Sequence, residues 1–239
     1  MRNLDRDALE RRKKLMMAVK SNDFDSVKQL CNSSTIRPKY LIGPHYIELA
    51  ANNDNLAMVK YLVENGGKIN RGVVAAAFSN NLPMVKYLIT SGGKTTYSSI
   101  RAYTYHSAID GAAYNSNLLM AKYLVEEKGV VVTDTAIDYA VEENNSQMLK
   151  YLVENDKVGE ISVRAIKIAM AKKDSQVLVD GMKMSDYLLK HADKSVSVQF
   201  NPPVAPVVKP PIEDNRWDKM ESHKVKNDIE INFKSWLLS

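Results

Sequence analysis

A Lys-Tyr-Leu triplet recurs four times in this 239-residue chain, beginning at Lys60, Lys86, Lys122 and Lys150, with spacings of 26, 36 and 28 residues. The agreement extends well beyond the triplet, through NLAMVKYLVENGGK, NLPMVKYLITSGGK, NLLMAKYLVEEKGV and NSQMLKYLVENDKV. Self-similarity at this period marks repeated supersecondary units joined by connectors of variable length. A unit of this size has too little apolar surface to form a core alone, so it must stack on its neighbours.

Each repeated motif has an apolar predecessor: HYIELAANNDN, GVVAAAFSNN, SAIDGAAYNSN and TAIDYAVEENN. The small residues Ala50, Ala76, Ala112 and Ala140 let a first helix approach its neighbours closely. The Asn/Asp/Ser cluster that follows breaks the apolar pattern, and these side chains serve as turns and helix caps. In the second helix Leu56, Val59, Leu62 and Val63 fall at i, i+3, i+6 and i+7, which places them on one predicted buried stripe. Gly66-Gly67 and Gly92-Gly93 end that helix where a positive φ is needed. The predicted unit is therefore helix, short turn, helix and glycine-containing exit.

Both flanks fit the same register. AVKSNDFDSVKQL aligns Ala18 with Ala50 and Leu30 with Leu62, giving a divergent first unit. At the other end AIKIAMAKKDSQVL opens a sixth. There Ala169 lies 29 residues beyond Ala140, whereas Tyr187 lies 36 beyond Tyr151. The seven extra residues predict a second helix lengthened by about two turns. The expected fold is all-α, a solenoid of about six stacked helix pairs.

The second-helix pattern, carried by Asn53, Leu56, Met58, Val59, Lys60, Leu62, Val63 and Gly66, resembles that of the ankyrin-repeat family. It recurs through Leu82, Met84, Val85, Lys86, Leu88, Ile89 and Gly92, with Ser79 in place of the Asn. Ala50-Ala51, Ala76-Ala77 and Ala112-Ala113 match the family's paired alanines. The resemblance spans most of residues 8–194 and implies a noncovalent protein-binding scaffold. The usual Thr-Pro-Leu-His opening is absent, and the first clear unit is entered through Gly43-Pro44-His45-Tyr46. The compact spacing leaves little room for the family's projecting hairpins. The VKYLVENG phrase at residues 59–66, varied in the other motifs, is similar to divergent units of large DNA viruses, which implies a host protein as partner.

The formal charge of +5 and pI near 9.0 come from interspersed signs, 33 Lys+Arg against 28 Asp+Glu. Nucleic-acid readers concentrate cations in a stripe or carry a recognisable module, so nucleic-acid binding is the least favoured class. Cys31 is the sole cysteine; it excludes an intrachain disulfide and fits a buried thiol in a reducing compartment. The N-terminus lacks the apolar core of a signal peptide, and no stretch is long enough to span a membrane. The expected location is cytoplasmic or otherwise intracellular, the host-cell interior if the chain is viral. His45, His106, His191 and His223 lack metal-ligand spacing, and no nucleophile elbow, phosphate loop or HExxH helix occurs. A non-enzymatic protein without cofactor or metal is expected.

Candidate contact residues lie where the repeat departs from itself. The ten-residue excess between the second and third motifs falls in KTTYSSIRAYTYHSA, where Arg101, Tyr103 and Tyr105, with Tyr97 and His106, make an Arg/aromatic cluster suited to a binding hot spot. The connector 32–44 offers Arg37, Lys39 and Tyr40, while its Leu41 and Ile42 are expected to return to the core. Lys60, Lys86 and Lys122, with Lys150, should align on one side of the array, either as a solvated face or as a recognition stripe. The matching tyrosines are expected to pack between units. Arg11-Arg12-Lys13-Lys14 reads as a charged cap on the first helix.

The predicted organisation is an array over 1–194, a proline-rich linker over 195–213 and a C-terminal helix over 214–239. Clustered prolines favour an extended connection in the linker. Trp217, Met220, Phe233, Trp236 and Leu237 give the last segment an apolar side for docking or oligomerisation. The expected partner is an unidentified intracellular protein. The alternative is a structural assembly component that forms homo-oligomers through residues 214–239.

Overall fold

A computed structural model describes residues 2–33, 37–43, 45–69, 71–99, 104–155, 161–172 and 178–200. Within them the helices pair into six units. The first is α1 (Arg2–Lys20) with α2 (Phe24–Asn32). A single turn, α3 (Pro38–Leu41), precedes the second unit, α4 (Tyr46–Asn52) with α5 (Leu56–Glu64). The third is α6 (Gly72–Phe78) with α7 (Leu82–Thr90), and the fourth α8 (Ala108–Tyr114) with α9 (Leu118–Lys122). Then come α10 (Asp134–Glu142) with α11 (Ser146–Val153), and α12 (Val163–Ala171) with α13 (Met184–His191). First helices stack in the order α1, α4, α6, α8, α10, α12, and each second helix packs on its own first helix.

The stacking follows from residue size. Ala50, Ala51, Ala76, Ala77, Ala112, Ala113 and Ala140 are fully buried between first helices, where a larger side chain would hold the backbones apart. Gly111 takes this furthest: a Cβ on it would come within 2.7 Å of the Ala77 carbonyl carbon and the Phe78 nitrogen. In the second helices the fully buried set is Met58, Val59 and Leu62 and its repeats, while Leu56 and Val63 are only partly covered. The expected stripe is thus rotated toward the unbranched methionines, Met58, Met84, Met120 and Met148, which are fully buried.

That turn is nearly identical in five units. Asn22, Asp54, Asn80, Ser116 and Asn144 take the left-handed conformation, with φ between 54° and 59°. The following Asp23, Asn55, Asn81, Asn117 and Asn145 cap the second helix, accepting from the third residue onward at 2.8–3.0 Å. These side chains satisfy donors that would otherwise lack a partner at the helix start. In the fourth unit the exit glycine, Gly129, comes one residue later than Gly66 and Gly92 do in theirs. A π-helical turn over Tyr123–Glu127 absorbs the added residue.

Three departures from expectation follow from local chemistry. The ten-residue excess forms an antiparallel hairpin, β1 (Thr96–Ser99) with β2 (Thr104–Ser107), in register Thr96↔Ser107 and Tyr97↔His106. The sixth unit does not lengthen its second helix. Its extra residues enter the connection, which closes with β3 (Leu178–Val179) paired to β4 (Met182–Lys183) around Asp180-Gly181, both at positive φ. An Asp-Gly pair with both φ values positive is the two-residue hairpin turn that matches strand twist. The start of the expected 195–213 connection is helical instead: Lys194–Phe200 forms α14, started by Asp193 accepting from the Ser195 amide at 3.2 Å, and residues 201–213 lie outside the described residues. Its first proline neighbour is Pro202, so nothing before that point forbids a helix.

Candidate functional site

The first helices expose one face beside the β1–β2 hairpin, and aromatic side chains gather there. Phe78 and Tyr114 stand at equivalent positions, two residues past Ala76 and Ala112, and Tyr139 precedes Ala140 in the next unit. Their rings meet pairwise, with centroids 5.7 Å apart for Phe78–Tyr114, 6.3 Å for Phe78–Tyr139 and 5.4 Å for Tyr114–Tyr139. Tyr114 is 49% exposed, so the cluster is open to solvent rather than part of the core. Burial, with the Asp110 and Glu142 carboxylates nearby, pushes the Tyr139 phenol above its ordinary value.

An arginine completes the site. Arg71, just before α6, places its guanidinium carbon 3.9 Å from the centroid of the Tyr97 ring on β1. Its Nη1 reaches Glu48 Oε1 of α4 at 3.4 Å, and the other Glu48 oxygen contacts His45 Nδ1 at 3.1 Å. The Arg71 Nε is buried and makes no hydrogen bond among the described residues. Glu48, Asn52, Arg71, Phe78, Tyr97, His106 and Tyr139 surround a recess of about 320 Å³. A planar cation stacked on one ring and facing others offers two recognition modes at once, a hydrogen-bonding fork and an apolar wall.

Two buried carboxylates brace the same helices without entering the recess. Asp110 accepts from the Ser107 amide at 2.8 Å and from the Thr133 hydroxyl, so it ties α8 to the cap of α10. Asp138 accepts from the Ser162 hydroxyl at 2.9 Å and pairs with Arg164 at 3.2 Å, tying α10 to α12. Burial pushes both carboxyls up, and the hydrogen bonds oppose it. Among the described residues no group of three or more His, Cys, Asp or Glu side chains is placed to hold a metal ion.

Lys60, Lys86 and Lys122 of the repeated triplet are exposed, and each leans on a tyrosine of the next unit. Lys60 Nζ lies 5.6 Å from the Tyr87 ring centroid, Lys86 4.8 Å from Tyr123, and Lys122 5.9 Å from Tyr151. The tyrosines pack between units, and Tyr61 and Tyr151 donate to Asn32 and Glu126 of the preceding unit at 3.2 and 3.1 Å. Lys150 instead pairs with Asp180 at 2.7 Å. Leu41 and Ile42 return to the core, while Arg37, Lys39 and Tyr40 are exposed. Cys31 is buried, and burial raises its thiol. Tyr105 lies in β2 opposite Ser98. Arg101 and Tyr103 lie outside the described residues, as do Trp217, Met220, Phe233, Trp236 and Leu237.

Sequence reasoning found Tyr97 and His106 but missed Arg71, Phe78, Tyr114 and Tyr139. The signal was present in the aligned predecessors, where an aromatic follows Ala76-Ala77 and Ala112-Ala113 at a position otherwise polar. A family model described as ankyrin repeats (3 copies) matches residues 15–99 and 73–164. A comparison with curated proteins finds no match.

Proposed function

This chain belongs to the ankyrin-repeat family, and on that premise we propose that it is a noncovalent scaffold that recognises a protein through the first-helix face and the β1–β2 hairpin. Ankyrin repeats generally mediate protein–protein interaction. The observation that carries the reading is the open cluster of Phe78, Tyr114 and Tyr139, walled by Arg71 stacked on Tyr97. Aromatic and arginine side chains held rigidly by neighbours lose little conformational entropy on binding, and such residues dominate interface energetics. Arg101 and Tyr103, in the sequence between β1 and β2, and Tyr105 are proposed as further contact residues. Lys60, Lys86 and Lys122 supply a secondary charged margin.

Among the described residues no helix is long and apolar enough to cross a membrane. An intracellular partner fits the single reduced cysteine, and the VKYLVENG phrase supports a host protein as that partner.

The test compares immobilised full-length protein with a Phe78→Ala/Tyr139→Ala variant, using quantitative mass spectrometry of proteins retained from a cell extract. A retained protein should fall at least tenfold on the variant, and hydrogen exchange should show it protecting α6, α8 and α10. Identical retention by the two, with matched unfolding curves, would remove this face as the binding surface. Self-association that persists in the variant and is lost on truncation after Phe200 would favour the assembly reading instead.

A further inference from the structure

Two neighbouring recesses of the array carry cations that no acidic side chain neutralises among the described residues. Arg12 of α1, Lys39 and Tyr40 of α3, His45 and Lys68 border one recess of about 500 Å³, together with Met16, Ile42 and Tyr46. A second recess of about 510 Å³ shares Lys68 and adds Lys94 and the exit glycines, and its far border is Tyr97. The two share Lys68 on their borders, and the second is bordered by Tyr97, the ring on which Arg71 stacks. No carboxylate lines either recess among the described residues. Arg12, Lys39, Lys68 and Lys94 form no ion pair there, and only His45 is held by an acid, Glu48.

The chain builds this surface rather than merely exposing it. Arg12 Nε and Nη2 donate to the Tyr40 carbonyl at 3.0 and 2.5 Å, which fixes α3 against α1. Lys39 crosses the exit turn of the second unit so closely that a Cβ on Gly66, at φ +86°, would lie 2.7 Å from its own Cβ. Its Nζ then sits 5.0 Å from the Tyr40 ring centroid. Tyr40 remains 57% exposed and Met16 43% exposed, so apolar surface lies among the charges.

We propose that Arg12, Lys39, Tyr40, Lys68 and Lys94 form a docking groove for an acidic, aromatic-containing peptide segment of the protein partner. The assignment rests on the protein-recognition reading above and names the chemistry of what is recognised. Charge complementarity selects carboxylates, and the exposed Tyr40 and Met16 select an apolar side chain between them. A nucleic-acid track would need cations to follow a longer phosphate backbone, with stacking faces free of aliphatic neighbours. Lys68 and Lys94 are equivalent positions one unit apart, about 9 Å by the usual spacing of packed helices. That distance matches one turn of a polyproline II helix, three residues at about 3.1 Å each, which returns every third side chain to the same face, so acidic residues every third position fit the groove.

The probe is a fluorescein-labelled seven-residue peptide with Glu at its first, fourth and seventh positions and Phe at its second, titrated into the full-length protein by anisotropy. It should bind, weaken as salt is raised, and lose at least tenfold in affinity to a K39E/K68E variant with an unchanged circular dichroism spectrum. Lys183→Glu, a charge reversal on exposed β4, should leave binding intact. Tyr40→Ala should remove the preference for this peptide over one with Ser in place of Phe. Binding that is absent, equally weakened by K183E, or weaker than that of a labelled oligouridylate would overturn the proposal. The K39E/K68E result leaves Phe78 and Tyr139 untouched, so its failure and that of the first-helix reading are separable.

Discussion

The side-chain amide of Asn55 donates to Asn22 Oδ1 at 2.7 Å, joining the helix cap of one unit to the left-handed residue of the unit before it. The same bond recurs from Asn81 to Asp54 and from Asn117 to Asn80, each at 2.7 Å. One short polar side chain thus does two things: it caps its own helix and couples it to the turn of the neighbouring unit. The ladder stops where Ser116 stands, because its shorter side chain leaves the bond from Asn145 unmade.

Ser116→Asn is therefore expected to stabilise the protein. Asn tolerates positive φ better than Ser, and a completed hydrogen bond contributes about 0.5–1.5 kcal/mol net. A rise in the thermal midpoint of about 2–4 °C follows for a chain of this size. Differential scanning calorimetry checks it, and an unchanged or lower midpoint would contradict the ladder's contribution.

The repeat, the six helix pairs and the turn residues were legible because each depends on neighbours close in sequence. The ladder was only half legible: NDN, SNN and NSN clusters announce turns and caps, but which Asn meets which depends on the stacking of units. The lysines show the same limit. Their period predicted alignment on one side, yet that Lys86 leans on the Tyr123 ring is a fact of interunit geometry. The Asp180-Gly181 hairpin was readable from its dipeptide alone and was missed because a helical register was carried through it. The aromatic face escaped notice because Phe78 and Tyr114 occupy a position that is Asn52 in one unit and Glu142 in another.

Gly111→Ala tests the close approach of first helices. Alanine favours a helix over glycine by about 1 kcal/mol, which argues for stabilisation. The new Cβ, however, would meet the backbone of Ala77 and Phe78 at 2.7 Å, and backbone atoms inside a packed stack do not yield cheaply. Overpacking of this kind costs about 1–3 kcal/mol, so the steric effect wins and the urea midpoint should fall. The displacement would also spread the Phe78–Tyr114 rings, and near-ultraviolet circular dichroism should report it.

Asp110 makes the stability depend on pH in the acidic range. Burial holds its folded-state pKa above the unfolded value of about 3.9, and the bonds from Ser107 and Thr133 only partly oppose that. A raised pKa means a contribution fully present below about pH 3.9 and lost as pH rises through the folded value. The unfolding free energy of the parent minus that of Asp110→Asn should therefore be largest near pH 4 and decline toward pH 7. Asp138 shifts in the same direction in both proteins and cancels in the difference. Parallel pH profiles would show that this carboxylate is not penalised by burial.

Tyr151 supplies the corresponding dependence at alkaline pH. Its hydroxyl donates to Glu126 Oε1 at 3.1 Å, and burial together with that carboxylate pushes its pKa up to about 12. The unfolded value is about 10, so the group's contribution is complete below pH 10 and is lost as pH rises through the folded value. The stability advantage of the parent over Tyr151→Phe should stay constant from neutral pH to about 9 and shrink between about 10 and 12. Glu126→Gln keeps an acceptor but removes the charge, and should move that loss to lower pH without abolishing it. Urea unfolding of the three proteins across this range separates the carboxylate's effect from that of burial: a Glu126→Gln profile identical to the parent's would assign the whole shift to desolvation.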